Sequence, residues 1–189
     1  MILFLKNEIY KIIFNCYFYF FLNPVNADER KIQLDRLFNE LKINNIALVY
    51  GTEQKIWKIW STHPTDEQLT LKLSKGTDLM QGSTLSQSIE IFSDLIELDP
   101  NWAEAWNKRA TALYLIGDYE GSQKDIDRVL ELENRHFGAL AGQGLVNIKL
   151  ENYEKAIESY KRAQEIYPAM QSPKIMIEQI EQLIKQQLI

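Results

Sequence analysis

Sulfur chemistry is nearly absent from this 189-residue chain, whose single cysteine is Cys16. One thiol closes no intrachain disulfide and builds no thiolate metal site. Imidazole is scarce too: only His63 and His136 supply it, and neither shares a helix turn with a carboxylate pair at metal-ligand spacing. No serine stands in a Gly-x-Ser-x-Gly elbow, and no phosphate loop ends in Gly-Lys-Ser or Gly-Lys-Thr. Gly142-Gln143-Gly144 opens like a dinucleotide fingerprint, but Asn147 occupies the third glycine's place and a helical pattern precedes it. The expectation is therefore no enzyme, with no catalytic residue, metal or cofactor. A net charge of −5 without any run of lysine or arginine excludes nucleic acid as a partner. Gly/Ser linkers and low-complexity stretches are missing, and 46% hydrophobic with 25% charged residues belong to a globular chain.

Long apolar runs are missing as well, with one short exception. Ile12–Leu22 is an eleven-residue aromatic and aliphatic stretch broken only by Asn15, preceded by Lys6 and Lys11 and followed by Val25-Asn26-Ala27. It falls well short of the roughly 20 residues that cross a bilayer, and small enough side chains stand at −3 and −1 of a cleavage point. Residues 1–27 are read as a signal peptide cut before Asp28, with Cys16 lost alongside and the mature protein in the periplasm. The alternative is an uncleaved segment, the one case in which this chain meets a membrane.

The rest reads as helices. Residues 28–62 form an expected helical hairpin: Ile32, Leu34, Leu37, Phe38 and Leu41 make one stripe, and Leu48, Ile56, Trp57, Ile59 and Trp60 make the other. The hairpin is expected to cover the exposed end of the array that follows. His63-Pro64 breaks the pattern, Thr65 to Gln68 and Asn101 to Glu104 have capping-box spacing, and Asp118 and Asn152 are good N-caps. Helices are expected at about 66–81, 85–98, 102–115, 119–131, 137–149 and 153–166. Ser172-Pro173 starts a last helix, within residues 171–189, whose stripe from Met176 to Leu188 should cap the array.

A 34-residue period runs through residues 69–170, within a repeat region expected at 63–170. Writing 69–102, 103–136 and 137–170 beneath one another aligns Gly76, Ala110 and Gly144, and likewise Ser88, Ser122 and Ala156. The same register stacks Leu85 with Tyr119 and Tyr153, and Phe92 with Ile126 and Tyr160. Small residues permit close helix approach and large ones fill the seam. With Ala103-Glu104-Ala105-Trp106, Gly117-Asp118-Tyr119, Asn152 to Ile157 and the closers Leu98-Asp99-Pro100 and Ile166-Tyr167-Pro168, the chain resembles the tetratricopeptide repeat (TPR) family. The order of segments, with Leu34–Leu41 and Ile56–Trp60 ahead of the repeats, resembles small exported alphaproteobacterial TPR proteins, a likeness that bears on compartment rather than activity. The resemblance implies an all-α, right-handed superhelix of three helix-turn-helix repeats.

It also implies a concave groove lined by the first helix of each repeat. The candidate ligand residues are Thr77, Asn107, Lys108, Thr111, Tyr114, Leu145 and Ile148, with Asn107 bonding a peptide backbone, Lys108 meeting an acid, and Tyr114, Leu145 and Ile148 receiving an apolar side chain. The competing reading fills the apolar end of the groove with the chain's own helices. The carboxylate clamp of chaperone-binding relatives is not implied, because Leu73, Thr77, Lys108, Gly138 and Gly142 stand at its five positions. Trp106 is assigned to the core. Trp57 and Trp60, three apart on one face, are core or else an alternative interface. The function implied is a scaffold for a protein or peptide partner, the alternative a structural or membrane-anchored subunit docking through the hairpin or the last helix.

Overall fold

The computed structural model describes residues 29–43 and 46–187; the expected signal segment lies outside them. Nine helices and no strand occur among the described residues. Helix α1 covers 29–40 and α2 Ile46–Ser61. The antiparallel pairs follow: α3 Glu67–Gln81 with α4 Leu85–Leu98, α5 Ala103–Ile116 with α6 Tyr119–Leu132, and α7 Phe137–Lys149 with α8 Tyr153–Ile166. Helix α9, Gln171–Gln187, closes the row.

The aligned columns are the contacts that hold the pairs together. A Cβ on Gly76 would lie 2.6 Å from the Phe92 ring, and one on Gly144 would lie 2.5 Å from Tyr160. Between them in the register, Ser122 donates its hydroxyl to the Ala110 carbonyl at 2.8 Å. Phe92, Ile126 and Tyr160 are almost wholly buried, so each pair has one large side chain seated on a small one. Gly117, at φ 87°, ends α5 in the left-handed conformation that glycine adopts without steric cost. Helix α9 lays Met176, Ile177, Ile180 and Ile184 against Ala156 and Tyr160 of α8, covering the apolar side of the third repeat.

The hairpin goes elsewhere than expected. It does not sit on the end of the first repeat; it runs as a strap along the turns that join successive repeats. Leu34, Leu37, Phe38, Leu41, Val49, Ile56 and Trp60 share one core with Phe137 and Tyr167. Three polar ties fix it, one at each turn. Trp102 donates its indole N–H to the Trp60 carbonyl at 2.8 Å, Arg135 reaches Asp35 at 2.5 Å, and the Tyr167 hydroxyl donates to Glu53 at 3.0 Å. The Arg135 guanidinium also lies 4.2 Å from the centre of the Phe38 ring. The physical reason is on α3, whose outward face exposes Gln68, Leu71, Ser74, Lys75 and Asp78. That face is polar enough to need no cover, whereas Phe137 and Tyr167 at the turns do.

Four caps also differ. Asn152 precedes α8 without a side-chain cap bond, and α9 already begins at Gln171, which puts Ser172 inside the helix and Pro173 past its first position. Asp66, rather than Thr65, caps α3 by accepting from the Gln68 N–H at 2.8 Å. Asn101 and Glu104 form no capping box: α5 starts after Trp102 without a side-chain cap, because the Glu104 carboxylate turns inward.

Candidate functional site

Helices α5 and α7 present their groove faces side by side, and a mainly apolar cavity of about 80 Å³ opens between them. Asn107, Thr111 and Tyr114 of α5 and Leu145 of α7 line it, so four of the sequence candidates meet in one place. Ala110, Ile126 and Val146 form its floor, all nearly fully buried, while Leu145 stays 39% exposed at the mouth. The Thr111 hydroxyl donates to the Asn107 carbonyl at 3.0 Å, and the Tyr114 ring stands 5.5 Å from that of Tyr119.

The other candidates are used differently. Thr77 lies on α3 outside the cavity, its hydroxyl spent on the Leu73 carbonyl at 2.9 Å. Ile148 packs into the α8–α9 cluster, since α9 takes the apolar end of the groove as core. Lys108 is an internal counter-ion: its ammonium lies 3.3 Å from Glu104 Oε1. Trp57 and Trp60 leave no open docking patch. Trp60 is 5% exposed and stacks on His136 at 3.9 Å and 10°, and the Trp57 ring reaches to within 2.5 Å of where a Gly138 Cβ would be.

Glu104 is a further residue that sequence reasoning placed wrongly. It is 1% exposed, and its Oε2 accepts from His136 Nε2–H at 3.1 Å and from Asn107 Nδ2–H at 3.1 Å. Burial, the largest influence, pushes its carboxyl up; the contacts with His136 first and Lys108 second together outweigh that and leave it below its ordinary value. Spacing held the clue, because Asn107 and Lys108 follow Glu104 at i+3 and i+4 on one helix face. His136 Nδ1 accepts the Ala139 N–H at 3.0 Å, so it caps α7 and the proton must sit on Nε2. His63 is wired alike: Nδ1 accepts from the Asp66 N–H at 3.0 Å, and Nε2 donates to Asp99 at 3.0 Å. Each ring has both nitrogens engaged, which leaves no lone pair to take a substrate proton.

A second, polar cavity of about 350 Å³ lies between α6 and α8. One repeat earlier the matching space is filled, as Arg109 makes a bidentate pair with Asp125 at 2.7 and 2.8 Å and reaches Ser93 at 3.1 Å. At the same register Gln143, Ser159 and Asp127 replace them, linked by amide hydrogen bonds. Among the described residues no cluster of three His, Cys, Asp or Glu side chains is arranged to hold a metal.

A sequence model of the tetratricopeptide repeat matches residues 116–170. A TPR repeat-containing protein of Rhizobium etli is 34% identical over 139 residues, which are 74% of this chain and 68% of that protein. The chain belongs to the tetratricopeptide repeat family. Its fold is that of solved TPR domains. The first TPR of Spaghetti (RPAP3), bound to the HSP90 peptide SRMEEVD, superposes with a TM-score of 0.61 at 19% identity, covering 64% of this chain and 96% of that one. The Sgt2 TPR domain of Aspergillus fumigatus gives 0.61 at 19% identity over 64% and 81%. At such identities the likeness is one of fold. At the clamp positions this TPR chain has buried Leu73, Gly138 under Trp57, Gly142 in the cavity wall, and Lys108 already paired.

Proposed function

We propose that this protein is a non-enzymatic TPR scaffold whose concave groove binds a segment of another protein, and that it works in the bacterial periplasm after export. The observation that carries the reading is the open cavity where Asn107, Thr111, Tyr114 and Leu145 converge while α9 and the hairpin cover the surfaces around it. The two TPR domains of RPAP3 solved with HSP90 and HSP70 peptides bound support a protein or peptide partner. The periplasmic assignment rests on the apolar segment and Val25-Asn26-Ala27 alone.

A structural-subunit reading draws on the hairpin's outer side, where Ile32 and Tyr50 are each 65% exposed. Affinity capture from the envelope fraction separates the two. Tyr114→Ala removes an aromatic whose loss at an interface centre typically costs ~2 kcal/mol or more, and should keep wild-type helicity while losing captured partners. Retention of every partner by Tyr114→Ala, together with their loss in Tyr50→Ala, would replace the groove with the hairpin.

A further inference from the structure

Helix α7 carries glycine at 138, 142 and 144, although only proline is worse in a helix interior. Two of the three have a reason in the packing. A Cβ at Gly144 would meet Tyr160 at 2.5 Å, and one at Gly138 would meet Trp57 at 2.5 Å. Gly142 has none: a Cβ there meets only Ile126 Cδ1, at an ordinary 3.7 Å, and its φ lies outside the left-handed region. Nothing within the described fold requires the small residue, yet Gly142 forms a wall of the groove cavity.

We propose that Gly142 keeps open a socket for one branched aliphatic side chain, Val, Ile or Leu, carried by an extended, locally uncharged segment of a partner protein. This rests on the groove reading above and gives it a ligand chemistry. Size argues for the aliphatic group: about 80 Å³ is half of the ~150 Å³ cavity that takes benzene, so an aromatic ring does not enter. The floor of Ala110, Ile126 and Val146 offers only dispersion and desolvation. The rim argues for an extended backbone. The Tyr114 hydroxyl and the Asn107 side-chain carbonyl have no hydrogen-bond partner among the described residues, and an extended segment has unpaired N–H and C=O groups to offer where a helix does not. Charge argues for neutrality. No lysine or arginine is among the residues lining the cavity, and Lys108, next to Asn107 in α5, is already paired with buried Glu104, so a partner carboxylate in the socket would be desolvated without compensation.

The test is a phage-displayed library of random octapeptides selected on the full chain, with recovered peptides resynthesised and their Kd measured. The expected consensus has one Val, Ile or Leu with no Asp or Glu beside it. Gly142→Leu fills the socket from its wall and should weaken those peptides at least tenfold, with thermal stability equal to wild type or higher. Gly142→Ala, whose Cβ the structure accommodates, should bind them more weakly than wild type and shift the preferred side chain towards smaller ones. Peptides that need Tyr114 but show no aliphatic position, or that bind Gly142→Leu and Gly142→Ala as tightly as wild type, overturn the socket and leave the groove. Selection of no peptide that depends on Tyr114 overturns both.

Discussion

Replacing Glu104 with glutamine keeps the shape of the buried cluster and removes its charge, which isolates one question: whether the ionised carboxylate stabilises the fold or burdens it. In the native chain Oε2 accepts hydrogen bonds from His136 and Asn107, and Oε1 meets only the Lys108 ammonium at 3.3 Å. Glutamine can accept both bonds with its carbonyl, but its amide then faces Lys108 and drives that ammonium, 23% exposed, towards solvent. Two charge-assisted bonds become neutral ones, a loss of ~0.5–1.5 kcal/mol each. Against this, removing a buried charge recovers desolvation energy, which in some proteins makes such a swap neutral or favourable. The carboxyl's position below its ordinary value decides the sign: the folded state prefers the ionised form more than the unfolded state does.

Glu104→Gln should therefore lose ~1–3 kcal/mol at pH 7, or roughly 2–12 °C in Tm for a chain of this size. The pH dependence follows from the same direction. Because the folded pKa is depressed, the stabilisation is fully present above the unfolded value of about 4.3 and disappears as pH falls through the folded one. Urea unfolding followed by circular dichroism at pH 7 and again below pH 4 should show the gap between wild type and variant closing in acid. A variant as stable as wild type at pH 7, or a gap that widens in acid, would refute the reasoning and make the cluster a net cost.

The repeat array was legible because its contacts recur: the column of Gly76, Ala110 and Gly144 and that of Phe92, Ile126 and Tyr160 each repeat one packing three times, and a period survives without knowledge of any partner. The hairpin's stripe was equally plain, but a stripe says that a face is buried and not against what. Its partners Phe137 and Tyr167 lie about a hundred residues away at turns with no signal of their own. Glu104 shows a local cue losing to a distant one. The Asn101-to-Glu104 spacing favours a capping box worth ~1 kcal/mol, while His136, Asn107 and Lys108 together offer the carboxylate more inside. Within the candidate site, Asn107, Thr111, Tyr114 and Leu145 follow from repeat geometry, whereas the diversion of Lys108 and Ile148 depends on which neighbours reach them first.

Two further outcomes can be measured directly. The mature protein should have an intact mass beginning at Asp28 in the periplasmic fraction; Met1 retained in a membrane-bound protein would promote the anchored-subunit reading. Alanine at Gly142 and at Gly144 forms a matched pair two residues apart in α7, with equal gains in helix propensity of about 1 kcal/mol. At Gly142 the new Cβ meets Ile126 at 3.7 Å, so the gain stands and Tm rises by a few degrees. At Gly144 it would fall 2.5, 2.6 and 2.8 Å from three atoms of the Tyr160 ring, which is 1% exposed and backed by Ile180 of α9. Overpacking of that kind costs ~1–3 kcal/mol, enough to reverse the sign and leave Gly144→Ala less stable by about 1 kcal/mol. Equal shifts for the two variants in thermal unfolding would mean that the small-residue column does not set the α7–α8 distance, and that the period reports something other than close helix contact.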